Sequence, residues 1–228
     1  MSANFVQGVS AAAASVSVTS AAATLPANAT TGDMLVVFAT WSTNPVSGGT
    51  TAVCTDSQGN TYTSLSYSAG NTYENGQAFY VLPATGGAIT VTLTFQTGHI
   101  VTAYNLMVLE YKDVVSGPAT NPFYLGSGFG SSFNSGSHFT SSSSRQTFVG
   151  YASVDGGTGS LSAGSGGWVL ETSSSYPAAV VDRDVSAAGT YNPHFSGSGL
   201  SSGNGASVTI YFLTTAPTPS NSFWFGMD

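Results

Sequence analysis

The sequence predicts an all-β fold, an antiparallel β-sandwich of jelly-roll or immunoglobulin-like type with ten or more strands. Three observations support this prediction. Only 6% of the residues are charged, so the Glu, Lys and Arg that surface helices need are nearly absent. Short segments rich in β-branched and aromatic residues recur along the chain. Clusters of Gly, Asn, Asp, Ser and Pro separate these segments, and such clusters are typical of tight turns.

The clearest strand is predicted at Thr90–Phe95, where Val91, Leu93 and Phe95 alternate with threonines. A period of two places the apolar side chains on one face of a strand. Residues 34–39 are apolar without alternation, which indicates a central strand covered on both faces. Further strands are predicted at residues 15–19, 61–67, 77–82, 105–111, 147–154, 168–171, 178–183, 190–195 and 207–212.

The chain is predicted to form one sandwich domain over residues 1–216, followed by a spacer and an aromatic tail at 217–228. No regular repeat of about 20 to 50 residues is visible, which argues against a propeller or solenoid. Residues 117–144 interrupt the succession of strands and are predicted to form a long loop, and loops of this length are usually functional. Two prolines in the spacer predict an extended connection to the tail.

The aromatic side chains of this loop and tail are the candidate partner contacts, because clustered apolar groups at a surface mark sites of protein interaction. We expect them to bind neighbouring subunits, in a homo-oligomer or a larger assembly. The candidates are Phe123, Tyr124, Phe129, Phe133, Phe139, Phe223, Trp224 and Phe225.

Charge excludes several classes of partner. Ten carboxylates face only three basic residues, giving a net charge of -7, so little is present to neutralise a nucleic-acid backbone. The same shortage argues against an anionic membrane surface.

The single Cys54 excludes an internal disulfide framework. No apolar run reaches about 18 residues, and residues 1–10 lack the pattern of a secretory signal. The expected location is a virion surface or the extracellular space. Two routes remain open: either a native signal has been replaced, or the protein reaches the outside without secretion, as a virus particle protein does when its host cell lyses.

No catalytic set stands out, so we expect a non-enzymatic protein. The alternative is a glycosidase that pairs Asp182 or Asp184 with Glu110 or Glu171, since such enzymes use two carboxylates. A charged edge strand explains the two aspartates more simply. Three histidines, His99, His138 and His194, are far apart in sequence and lack a metal-binding spacing.

Two further candidate sites remain open. Asp56 and Asn60 offer oxygens that suit calcium, although a hairpin turn in which Asp56 bonds its own backbone accounts for the same residues. No other cofactor is expected. Trp168 and Tyr176 are candidate glycan contacts, because aromatic faces stack on sugar rings. Packing in the core is the alternative for Trp168.

Three stretches together resemble a known group of domains: residues 32–37 in a long strand, residues 55–62 at a turn, and Leu109-Glu110-Tyr111 at the end of a strand. The group is a loosely defined set of β-sandwich domains in phage virion proteins, of decoration or tail type, and in secreted bacterial surface proteins. The likeness covers residues 5–214 and implies a fold and a location, without catalytic residues.

The resemblance implies a non-enzymatic structural or surface protein of a virus particle, and of a phage in particular. Such a protein acts in capsid decoration, tail assembly or adhesion. The alternative function is a carbohydrate-binding or adhesion module of a secreted bacterial protein, which would use Trp168 and loop tyrosines to bind glycans.

Overall fold

The computed structural model describes residues 4–44, 50–69, 75–120, 124–129, 132–134, 139–141, 145–154, 159–200 and 203–215. All regular elements in these residues are β-strands that pair antiparallel, so the predicted all-β fold is confirmed. The N-terminal unit contains β1 (Phe5–Val18), β2 (Ser20–Thr24), β3 (Met34–Asn44), β4 (Ala52–Asp56), β5 (Thr63–Ala69), β6 (Asn75–Val81), β7 (Thr90–Phe95) and β8 (Ile100–Tyr111). The C-terminal unit contains β9 (Ala119–Thr120), β10 (Tyr124–Phe129), β11 (Ser132–Asn134), β12 (Phe139–Ser141), β13 (Gln146–Val154), β14 (Ser160–Ala163), β15 (Val169–Ser174), β16 (Ala178–Val185), β17 (Gly189–Tyr191), β18 (His194–Ser198) and β19 (Gly203–Leu213).

The N-terminal unit has the strand order of a jelly roll. Its larger sheet runs β1-β8-β3-β6-β5 and its smaller sheet runs β2-β7-β4. The first strand therefore pairs with the eighth, the eighth with the third and the third with the sixth, while the second, seventh and fourth form the opposing sheet. A jelly roll has this eight-stranded, two-sheet plan. Here the fifth strand joins the larger sheet.

The C-terminal unit repeats this plan strand for strand. Its larger sheet runs β10-β19-β13-β16-β15 and its smaller sheet runs β11-β18-β14. Strand β10 takes the place of β1, β19 that of β8, and β13 that of β3. Two additions distinguish this unit, because β9 also pairs with β19 and β12 pairs with β17. The described chain is therefore a tandem pair of jelly rolls, a repeat of roughly half the chain that the sequence did not reveal.

The two larger sheets pack face to face, and equivalent residues of the two units meet there. Matching the register of β3 on β8 with that of β13 on β19 defines the equivalences. The pairs in contact are Phe38 and Tyr151 (ring centroids 5.3 Å apart), Tyr111 and Phe212 (ring centroids 5.1 Å apart), and Thr40 and Ser153 (Oγ1 to Oγ, 3.0 Å). Contacts between equivalent residues occur at a two-fold interface. The units are thus related by an approximate two-fold axis between the larger sheets.

Three hydrophobic clusters fill the spaces between the four stacked sheets. The first cluster lies between the N-terminal sheets and includes Trp41 and Leu93. The second joins the two larger sheets and includes Phe38 and Tyr151. The third lies between the C-terminal sheets and includes Phe195. Strand β3 contributes to the first and second clusters, so its unbroken apolar run is covered on both faces, as the sequence predicts.

Candidate functional site

The segment predicted as one long loop, residues 117–144, contains short strands in the structure. Strand β10 pairs with β19, β11 with β18, and β12 with β17. Their Gly- and Ser-rich sequences have little strand propensity of their own, and the partner strands supply the hydrogen bonds. Of the candidate partner contacts, Tyr124, Phe129, Phe133 and Phe139 lie in these strands, while Phe123, Phe223, Trp224 and Phe225 lie outside the described residues.

A pocket of about 260 Å³ lies beside the edge of the larger C-terminal sheet. Its lining residues come from three separate stretches of the chain, so no local sequence motif predicts the pocket. Tyr211 forms part of its wall and is fixed there by stacking on Phe148, with ring centroids 5.4 Å apart. The full lining is Ser116, Gly117, Ala119, Gln146, Tyr211, Phe212 and Leu213.

Gly117 holds one wall of this pocket close to the N-terminal unit. A Cβ atom at this position would lie 2.8 Å from the Tyr80 hydroxyl oxygen. The absence of a side chain therefore allows the chain entering β9 to approach β6. This contact fixes the pocket at the junction of the two units.

The Asp56 turn is closed by its own hydrogen bonds. One carboxylate oxygen of Asp56 accepts from the backbone N–H groups of Gln58 (2.9 Å) and Asn60 (3.1 Å). The other accepts from the Asn60 side-chain amide (2.8 Å) and the Tyr62 hydroxyl (2.9 Å). Burial and the adjacent Asp56 carboxylate raise the pKa of Tyr62. The arrangement is a hydrogen-bonded turn around Asp56, as predicted, but it is not a hairpin, because β4 pairs with β7 and β5 pairs with β6. The turn instead carries the chain from the smaller to the larger N-terminal sheet. A cation at Asp56 would have to compete with the four donors.

Replacing Asp56 by alanine should lower the free energy of unfolding by about 2–3 kcal/mol, because hydrogen bonds to a charged group are lost together and their donors are left unpaired. Asp56→Asn retains one acceptor oxygen and should cost less. Urea unfolding monitored by circular dichroism measures both variants. Equal stability of wild type and Asp56→Ala would show that the turn does not depend on this carboxylate.

Trp168 lies mostly in the core, and only 7% of its surface is exposed. It belongs to the third cluster. The preceding Gly166 and Gly167 both adopt positive φ angles, and the Arg183 guanidinium donates to the Gly166 carbonyl at 2.6 Å. The loop is thereby held close to the indole ring. Tyr176 is half-buried, and its backbone carbonyl accepts a hydrogen bond from the Ser174 hydroxyl. Little of the Trp168 face is available for a sugar ring.

Of the carboxylates considered for a glycosidase, Glu171, Asp182 and Asp184 lie on the neighbouring strands β15 and β16 of the larger C-terminal sheet, whereas Glu110 lies in a different layer of the stack. Glu110 is fully buried on the side of β8 that faces the first cluster, and it accepts from the Thr30 backbone N–H at 2.7 Å. Asp182 is fully buried in the larger C-terminal sheet, where the Tyr111 hydroxyl donates to it at 3.3 Å. The larger N-terminal sheet separates these two residues. The structure does not bring Glu110 and Asp182 together.

Asp184 takes part in a polar network that links the units. It accepts from the Thr147 hydroxyl at 2.6 Å and pairs with the Arg145 guanidinium at 3.3 Å. The same guanidinium donates to the Asn4 side chain at 3.3 Å. Within the described residues, no group of three or more His, Cys, Asp or Glu side chains is placed to hold a metal ion.

Asp33 lies beside the buried Glu110, and the two carboxyl groups affect each other. Burial, followed by a hydrogen bond with Glu110 and the charges of Glu110 and Asp113, raises the pKa of Asp33 to about 6, although Lys112 opposes the shift. The folded state therefore favours the protonated form of Asp33. The stability that this group contributes is greatest below the ordinary aspartate range and is lost as the pH rises through 6.

We expect the free energy of unfolding to include an Asp33 contribution that increases as the pH falls from about 7 to 5. Asp33→Asn should remove this contribution and flatten the curve in that interval. Urea denaturation at a series of pH values measures it, with Val53→Ala as the control that should keep the wild-type slope, because Val53 is 63% exposed and carries no titratable group. Parallel curves for wild type and Asp33→Asn would contradict the expectation.

No family model, curated protein or solved structure matches this chain. In the part of the chain that the structure describes, no helix is long and apolar enough to cross a membrane. The likeness to phage virion and bacterial surface domains therefore stays a prediction from the sequence. The tandem jelly roll, its surface chemistry and the pocket are the observations that bear on function.

Proposed function

We propose that the chain is a non-enzymatic structural protein at the surface of a virus particle, acting in decoration, tail assembly or adhesion. The observation that carries the proposal is the face-to-face fusion of two jelly rolls by a fully buried core. Phe38, Tyr151 and Ile210 of the second cluster are each 0% exposed, and such close packing makes a stiff body. Jelly rolls occur in viral capsid and lectin domains, which supports the proposal by analogy of fold.

The two smaller sheets lie on the outside of the stack, and their outer faces are suited to contact with other subunits. On β7 the side chains of Thr90, Thr92 and Thr94 point away from the first cluster, because Val91, Leu93 and Phe95 occupy its core face. Strands β14 and β18 of the C-terminal unit likewise carry serines on alternate positions. Neutral hydroxyl faces pack against neighbours without the desolvation cost of burying charges.

The carbohydrate-binding alternative receives less support, since its main candidate, Trp168, packs in the third cluster. A glycan array separates the two functions. Under the structural proposal no saturable binding is expected, whereas binding that is lost in Trp168→Ala would favour the module.

The structural proposal is tested by the mass of the protein in solution. We expect sedimentation equilibrium to show that the full chain forms oligomers and that its average mass increases with protein concentration. Deleting Ser220 to Asp228 should shift the population toward the monomer and leave the unfolding transition unchanged. A full chain that stays monomeric at every concentration, or that turns over a glycoside substrate, would contradict the proposal.

A further inference from the structure

We propose that the pocket beside β9 and β19 binds one or two of the aromatic side chains of residues 223–225 from a second copy of the chain. This inference rests on the proposed function, in which copies of the chain associate. It adds the surface that the tail occupies. The aromatic residues 223–225 are called the plug, and the pocket that receives them is called the socket.

The chemistry of the pocket suits an aromatic plug. Tyr211 and Leu213 provide aromatic and apolar contacts, while Ser116 and Gln146 add polar groups. Phe212 borders the pocket, but its ring is packed in the second cluster and is 1% exposed. The volume, about 260 Å³, is that of a site for one or two side chains. Aromatic residues gain the most from such a site, because each buries a large area and stacks on other rings. The segment Phe223-Trp224-Phe225 is the densest aromatic run in the sequence.

The tail starts next to the pocket. Thr215 is the last residue described, and its backbone N–H donates to the Asp113 carbonyl at 3.0 Å. Two residues after Asp113, the backbone N–H of Val115 donates to the Leu213 carbonyl at 3.0 Å. Leu213 is a residue of the pocket wall. The spacer therefore leaves the body within a few residues of the socket.

The spacer favours a second copy over the pocket of the same chain. Residues 216–222 include Pro217 and Pro219, and proline-rich segments extend by about 3.1 Å per residue. The spacer is thus predicted to carry Phe223 about 20 Å away from its starting point. Because that point adjoins the pocket, a spacer extended as its prolines predict would take the aromatic residues away from their own socket and toward a neighbouring copy.

Filling the pocket tests the inference in the full-length chain. Ala119 is exposed at the pocket, so Ala119→Trp should occupy the socket without disturbing the core, and Ala119→Ser is the matched control. We expect the association constant to fall by about tenfold or more in Ala119→Trp, as for loss of an interface hot spot, and to stay unchanged in Ala119→Ser. Unfolding transitions at the wild-type temperature establish that both variants are folded.

Mixing two variants tests whether the contact joins different copies. The first carries Ala119→Trp and keeps its tail, and the second combines Phe223→Ala, Trp224→Ala and Phe225→Ala and keeps its socket. Each should be monomeric alone, and an equimolar mixture should form a heterodimer, detected by sedimentation. A mixture that stays monomeric would overturn the contact between copies.

The outcomes distinguish this inference from the proposed function. If wild type and Ala119→Trp associate equally, the pocket is not the socket and the inference fails, while the structural function stands. If the wild-type chain does not associate under any condition, the proposed function fails and the inference falls with it.

Discussion

Replacing Phe38 by alanine should destabilise both jelly-roll units together, with a loss of about 3–5 kcal/mol in the free energy of unfolding. Phe38 is fully buried, and its ring stacks on that of Tyr151 in the other unit with centroids 5.3 Å apart. Truncation leaves a cavity at the centre of the second cluster, which both larger sheets line. Each unit consequently loses packing that it cannot replace alone.

The two units can be followed separately by their tryptophans. Trp41 lies in the first cluster and Trp168 in the third, so variants that keep only one of these two, with Trp224 replaced as well, report on one unit each. In both backgrounds Phe38→Ala should move the urea midpoint to a lower concentration by a similar amount. Val53→Ala is the control, because Val53 is 63% exposed and surface substitutions usually change stability by about 0.5 kcal/mol or less. A shift seen by Trp41 alone would show that the units unfold independently.

The fold class was predictable because burial leaves a pattern in the sequence. Strand β7 alternates apolar and threonine residues since one of its faces meets the first cluster and the other is exposed. Strand β3 is apolar throughout because it lies between two clusters. Both signals are local, so each can be detected without knowledge of the partner strands.

Elements stabilised mainly by their partners were not predictable in the same way. Strand β1 runs over Phe5–Val18, yet only residues 15–19 were predicted, at the end where the pairing with β8 becomes irregular. The missed part includes Ala11 to Ala14, and alanine has low strand propensity. These residues pair in regular register with Ala103 to Leu106 of β8. Context outweighs propensity here, as it does in the strands between residues 117 and 144.

The duplication escaped detection because few residues are shared between the units. In the matched strands β3 and β13, Val36 corresponds to Val149 and Ala39 to Ala152, but most other positions differ. The period is also far longer than the short repeats that identify solenoids and propellers. The matching order of the strands still shows the duplication, although the sequences of the two units differ at most matched positions.

The candidate sites, likewise, could be predicted only where their residues are close together in the sequence. The Asp56 turn is a local motif, and its residues were identified, although the choice between a turn and a cation site needed the positions of the four donors. The pocket combines residues near 117, at 146 and near 212. Side chains so distant in sequence converge only through the pairing of β9, β13 and β19, which no local pattern encodes.

A second large effect is expected for Gly150→Ala, which should lower the free energy of unfolding by about 3 kcal/mol or more through overpacking. Gly150 lies in the middle of β13, where an added Cβ would fall below van der Waals contact with Pro193 Cβ and 2.8 Å from Pro193 Cγ. The proline ring cannot rotate away. At the equivalent position of the N-terminal unit, Val37 is accommodated with no exposure. The C-terminal core therefore has a proline ring where the N-terminal core has room for a side chain.

The double variant Gly150→Ala/Pro193→Gly isolates this contact. Removing the ring should recover much of the loss, so the coupling energy between the two substitutions should be large and favourable. Gly8→Ala is the matched control in a strand. Its added Cβ would approach the Phe5 ring at 3.3 Å, and the end of that side chain can shift, while the Val108 carbonyl oxygen would lie at an ordinary contact distance of 3.5 Å. Urea unfolding with Trp168 as the probe measures all four variants. If Gly150→Ala cost no more than Gly8→Ala, the close approach of Pro193 to β13 would not constrain the C-terminal unit, and its difference from the N-terminal unit would need another cause.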